Sequence, residues 1–200
     1  MVEAASGILH LVRKGVREYV RAVDIATAVL DPIVDAGAPG QARFQFRKMV
    51  STCLEVATRP DRDRVRVLVH LQTGPTRKTL YLLETGQPAP VAGDDVAYRC
   101  HGEAVDGGVA WQAAESSVDG FLTAVIEETR AWYVRQSIAD RLLVRALQLR
   151  LPVVRHGAYV AMVRPGRQGM DHWSFRLQDG RETLVELGVA RLPAGDVRAG

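Results

Sequence analysis

Apolar residues recur at three- and four-residue steps from Val2 to about Asp35, at Ile8, Leu11, Val12, Val16, Tyr19, Val20, Val23, Ala26 and Leu30. That period predicts an amphipathic helix, weakened in its first half by Gly7 and Gly15. Asp31-Pro32 marks a stop or kink, because proline disfavours helical geometry in the residue before it, and "DAGAPGQ" then reads as a loop. Beyond it the period falls to two: in "ARFQFRKMVSTCLEV", Phe44 and Phe46 alternate with Arg43, Gln45 and Arg47, as in a half-exposed strand. In "RVRVLVHL", Val65, Val67, Val69 and Leu71 share one face, while Arg64, Arg66, Leu68 and His70 share the other. Gly74-Pro75 turns the chain and "KTLYLLE" returns it as a third strand. After a Pro- and Gly-rich linker, "VAYRCHGEA" predicts a fourth strand, followed by a Gly107-Gly108 turn and a short apolar stretch ending near Trp111.

The second half repeats this order. A helix is predicted from about Val118 to Leu149, with N-caps offered by Ser116, Ser117 and Asp119 and a stop at Pro152. Its apolar surface, which includes Phe121, Leu122, Val125, Trp132, Ile138, Leu142 and Leu149, is broad enough for a central position. Three strands follow, "HGAYVAMV", "DHWSFRL" and "TLVELGVARL", with Gln178-Asp179-Gly180 as a hairpin turn. Antiparallel hairpins are expected over about Val65 to Leu83 and about Trp173 to Leu187, turning at Gly74 and Gly180. The predicted class is α+β: an antiparallel sheet packed against one long central helix and an N-terminal helix.

Two pairs of segments echo one another. "HLQTGPTRKTLYLLE" and "RLQDGRETLVELG" align if a Thr-Pro insertion is allowed, and "YVR" occurs at Tyr19 and Tyr133. Hairpins select Gly at the turn and Thr or Leu in the strands, so shared turn chemistry is the first reading. A duplication, with pseudo-repeats 1–104 and 116–193, is the second.

With 200 residues, 47% hydrophobic and 24% charged, the chain is expected to form a single globular domain over 1–200, with a core that needs no metal or disulfide staple. Cys53 and Cys100 lack ligand or CxxC spacing, and no apolar run reaches 18 residues. The first residues carry their charges after a short apolar patch, the reverse of a secretory signal, so a cytoplasmic protein off the membrane is expected. The pI of about 9.1 overstates the basicity, because the formal charge is only +3 and arginine holds its proton to very high pH.

HExxH, Walker and GxSxG signatures are absent, and His10, His70, His101, His156 and His172 are too scattered to suggest a metal or cofactor. His172, beside Asp171 and Trp173, is a candidate base that reads first as a surface-facing strand residue. "HGEAVDGG" fits a turn better than a site. Glu127 and Glu128 in the central helix are candidate nucleophiles or bases if burial raises their pKa. As solvated acids they would pair with Arg130 or Arg135, and Asp140 has the same two readings. The most coherent charged feature is one strand face carrying Arg43, Arg47, Arg64 and Arg66 with His70. Guanidinium forks suit carboxylates and phosphates. The leading expectation is therefore a non-enzymatic adaptor, a homodimer, holding an acidic protein or anionic ligand. Nucleic acid is less favoured, since Phe44 and Phe46 point to the core side. A long central helix followed by three strands resembles the hot-dog architecture in its element order. That resemblance implies the alternative: a small enzyme with an acyl-type or other small ligand beside the central helix, and Glu128, Asp140 and His172 as its candidate catalytic residues.

Overall fold

A computed structural model describes residues 7–14, 18–34, 39–92, 98–166 and 169–192. The chain divides into two compact units: Met1–Ala97 with Gln148–Val153, and Tyr98–Leu147 with Val154–Gly200.

The first unit contains β1 (Ile8–Leu9), β2 (Arg13–Lys14), α1 (Ala22–Val34), β3 (Gly40–Phe46), β4 (Thr52–Ala57), β5 (Val65–Thr73), β6 (Thr76–Pro88) and β7 (Val91–Ala92). The helix expected from Val2 begins only at Ala22. Upstream, Ile8 and Leu9 pair with Glu55 and Leu54 of β4, so a ladder formed at long sequence range overrides the helical period. Residues 1–6, 15–17 and 35–38 of the expected helix and loop lie outside the described residues. α1 buries Val23, Ile25, Ala26, Val29, Leu30 and Ile33, and ends two residues after Pro32, whose ring supplies no N–H for the carbonyl one turn back. The larger sheet of this unit runs β1-β4-β6-β5-β3, antiparallel throughout. The β5–β6 hairpin turns tightly, with Thr73 opposite Thr76 and Gly74 at a φ of +55°. Phe44 and Phe46 lie on the buried face of β3, as the two-residue period requires, and stack with ring centroids 6.2 Å apart.

The second unit contains β8 (Glu103–Val105), β9 (Gly108–Ala114), α2 (Val118–Arg135), β11 (His156–Pro165), β12 (Met170–Leu177) and β13 (Val185–Leu192). It also holds the first part of β10 (Arg141–Leu151), whose last residues belong with the first unit. The strand order is β10-β13-β12-β11-β9-β8. The β12–β13 hairpin is present, but its connection is long, with Phe175 opposite Val185 and Gly180 N–H bonded to Leu177 O. The echoed "Thr-Leu" therefore falls within β6 in one hairpin and before β13 in the other.

Two expectations change here. The strand expected in "VAYRCHGEA" is reduced to Glu103–Val105. Tyr98–Gly102 is irregular, because its amides find a side-chain acceptor in place of a ladder, and residues 93–97 are outside the described set. The long helix stops at Arg135, where the N–H groups of Gln136, Ser137 and Ile138 bond back to Trp132, Val134 and Tyr133 and Ser137 takes a φ of +58°. The apolar residues after it belong to β10, in which Leu147, Leu149 and Leu151 alternate with Gln148 and Arg150. Aromatic rings fill the core of this unit: Trp111 stacks on Tyr159 at 5.2 Å, and Trp173 meets Trp132 edge-on at 5.1 Å. Among the described residues no helix is long and apolar enough to cross a membrane.

Candidate functional site

The two adjacent glutamates of α2 have different surroundings. Glu127 points outward and pairs with Arg130 one turn on, as a solvated helix acid does. Glu128 is 0% exposed. Its Oε1 accepts from the backbone N–H of His101 at 2.7 Å and of Gly102 at 3.1 Å, and the Gly102 N–H also lies 3.1 Å from Oε2. A buried carboxylate is tolerable only when such donors replace its lost hydration. The Tyr98 hydroxyl stands 3.5 Å from Oε1, a contact at the outer limit of hydrogen bonding.

The surrounding groups are donors. Burial, and then the charge of Glu128, push the Tyr98 phenol far above its ordinary value, so it stays protonated. The Cys100 thiol is pushed up by burial and by the Glu128 and Glu127 charges, against an opposing effect of Arg135, and donates to the carbonyl of Glu127 at 3.4 Å. It is therefore a poor nucleophile near neutral pH. Arg135 donates from Nη1 to the carbonyl of Gly102 at 3.1 Å, which ties the far end of the segment to the last turn of α2. Gly102 is required by closeness, since a Cβ there would collide with Glu128 Oε2 and Val109 Cγ2. His101 extends its ring into solvent, edge-on to Tyr98. The arrangement is a buried carboxylate held by two backbone amides, with a phenol and an imidazole at its margin.

The remaining candidates are not gathered with it. His172 is exposed on β12, while its neighbours Asp171 and Trp173 are buried on the opposite face. Asp140 has left the helix for the connection before β10. Sequence reading passed over Asp171, whose Oδ2 accepts from Tyr133 at 2.7 Å, with Trp173 Nε1 donating to the same tyrosine oxygen at 3.1 Å. Arg191 Nε lies 3.0 Å from that carboxylate oxygen without hydrogen-bonding geometry, and Asp171 Oδ1 has no hydrogen-bond partner among the described residues.

Two of the four arginines on the expected binding face pair with acids of the same unit. Arg64 pairs with Glu55 at 2.8 Å and Arg66 with Glu84. Arg43 and Arg47 are exposed on and just after β3, Arg43 stands opposite His70, and His70 Nδ1 lies 3.1 Å from Thr79 Oγ1.

An antiparallel sheet with two helices in this order is a hot-dog-like α+β fold. No family model and no curated protein matches the sequence. Among solved structures, the chain is similar to the tesB protein of Mycobacterium avium subspecies paratuberculosis, with 10% identity, 96% of each chain covered and a TM-score of 0.53. It is also similar to GphF Dehydratase 1, with 11% identity, 93% of this chain and 92% of that one covered, and a TM-score of 0.50. A conserved protein of unknown function with a hot dog fold from Alicyclobacillus acidocaldarius matches at 8% identity, over 87% of this chain and 88% of that one, with a TM-score of 0.41. The expected non-enzymatic adaptor is corrected at this point. The fold is shared with the tesB protein and with GphF Dehydratase 1, and two of the arginines that were to hold an acidic partner, Arg64 and Arg66, are paired within the chain.

Proposed function

We propose that the chain is a hot-dog-like enzyme that hydrolyses an acyl thioester, with Glu128 as the base. Water attacks the acyl carbonyl and gives a proton to Glu128, the carbon–sulfur bond breaks, and the leaving sulfur takes that proton back from Glu128, so that one acid and one thiol form and the base is regenerated. The observation that carries the reading is a fully buried carboxylate in mid-helix, held by two backbone amides. The likeness in fold to the tesB protein and to GphF Dehydratase 1 supports an enzyme over a binding protein. The Tyr98 hydroxyl lies 3.5 Å from the carboxylate and the exposed His101 ring stands beside it, and in this reading both donate to an acyl oxygen. A homodimer, a cytoplasmic location and a duplication over 1–104 and 116–193 remain parts of the proposal, the last supported by the order of helix and strands in both units.

Thiol release from acetyl- through palmitoyl-thioesters tests it, with 3-hydroxyacyl thioesters included to detect dehydration by the absorbance of the enoyl product. Replacing Glu128 with Gln keeps the shape and removes the base, and should lower kcat by about 10²–10⁴. Equal turnover by a folded Glu128→Gln protein, or no thiol release by the wild type, would reject the assignment.

A further inference from the structure

We propose that the adjacent amides of His101 and Gly102 form a binding site for a carboxylate or acyl oxygen, which the protein keeps filled with its own Glu128 side chain until a ligand exchanges for it. The amide geometry stands apart from the Proposed function, and only the activity arm below rests on that reading. Both N–H groups converge on a single oxygen, Oε1, at 2.7 and 3.1 Å. Successive backbone donors aimed at one point form an anion-binding concavity that cannot titrate away. In enzymes the same arrangement serves oxygens that gain negative charge during reaction. The carboxylate oxygen of Glu128 thus occupies the place of a ligand oxygen.

Three features make this a device rather than a chance contact. The segment leaves regular strand structure for these bonds, so its amides are committed to the carboxylate. Gly102 has no side chain where one would strike the bound oxygen. The segment is also fastened from outside the carboxylate, by Arg135 to the Gly102 carbonyl and by Cys100 to the Glu127 carbonyl. Exchange forms no covalent bond. An acyl oxygen takes the two amides, and the displaced Glu128 carboxylate becomes available to accept a proton. The resting protein therefore blocks its own base and its own oxygen site with one contact.

Formate is the probe, read by hydrogen exchange at the His101 and Gly102 amides in the full chain. Emptying the site with Glu128→Ala should speed exchange at both amides by about tenfold or more, as expected when a charge-assisted hydrogen bond is lost. Millimolar formate should restore protection there, sodium chloride should not, and the wild type should respond to neither. If Glu128→Ala does not fold, Arg135→Gln loosens the segment while leaving Glu128 and the amides intact. It should quicken exchange at both positions several-fold, and formate should reverse part of that. Unchanged protection in a folded variant, or formate protection spread evenly over the chain, overturns the site. Where thioesterase activity is present, formate should inhibit Arg135→Gln competitively with the thioester and more strongly than it inhibits the wild type, because both then reach the same two amides. Equal inhibition of the two proteins overturns the exchange. Absence of activity sinks the catalytic reading alone, and the formate result still decides the amide site.

Discussion

Each unit carries a largely buried carboxylate on its helix, and the two are neutralised in different ways. Asp24 sits in the first turn of α1, where the helix dipole favours an anion. Arg21 grips it with two hydrogen bonds of 2.9 and 2.7 Å, and Lys14 adds an ion pair at 2.9 Å. Glu128 lies in mid-helix, where the dipole gives no help, and is held by amides whose positions the backbone dictates. Flexible cations can follow a carboxylate as it moves, so the Asp24 cluster is a fastening. Rigid amides define a point in space, and that suits a site at which one oxygen can replace another.

The largest test of the contrast between the units concerns their cores. Trp173 is 1% exposed, lies within ring-contact range of Trp132, Tyr133 and Phe175, and donates to Tyr133. Trp173→Ala should cost about 3–5 kcal/mol by urea denaturation. Phe44→Ala in the first unit should cost less, because its ring carries no hydrogen bond. The reverse order would mean that the aromatic cluster of the second unit is loosely packed.

Asp24→Asn should cost about 1–3 kcal/mol at neutral pH, since charge-assisted bonds are lost. Burial works against the charge of Asp24, but the bonds from Arg21 and Lys14 outweigh it and hold the carboxyl below its ordinary value of 3.8. A depressed folded value means that this stability is complete above the unfolded value and is lost as pH falls through the folded one. The gap between wild type and Asp24→Asn should therefore close below about pH 3.8 on acid titration. A gap that persists at lower pH would show that the carboxylate charge is not its source.

The smallest effect concerns backbone geometry. The first unit places glycine, Gly74, at a φ of +55°, whereas the second ends its helix with Ser137 at +58°. Ser137→Gly should stabilise the chain by up to about 1 kcal/mol, read as a raised Tm, because a left-handed conformation is strained for a residue with a Cβ. A lowered Tm would show that the serine side chain contributes more than its strain costs.

Legibility in the sequence followed the range of the interactions. The buried faces of β3 and β5 and the turn at Gly74 were readable from residues close together in the chain. The Ser117 cap of α2 was equally local, since its side chain accepts from Gly120 N–H. The end of α2 was missed because the apolar residues continue past Arg135, and the change to a two-residue period becomes clear only at Leu147–Leu151. Glu127 and Glu128 looked equivalent because both are acids on one helix, yet consecutive helical positions face directions about 100° apart. His172 was grouped with Asp171 and Trp173 although consecutive strand residues face opposite sides. That alternation could have directed attention to Asp171.

Sequence alone determined the α+β class, the buried faces of β3 and β5 and the two hairpins, because periodicity and turn chemistry act over a few residues and need no partner. Tertiary structure decided where the charge goes. The "His-Gly" at 101–102 and the glutamate at 128 were each read separately, and each had an ordinary explanation as a turn or a surface acid. Only folding brings two amides to one carboxylate oxygen across 26 and 27 residues of chain. No local rule predicts that contact, because burial makes an unanswered charge costly and the chain supplies its answer from wherever the fold has left a donor unused.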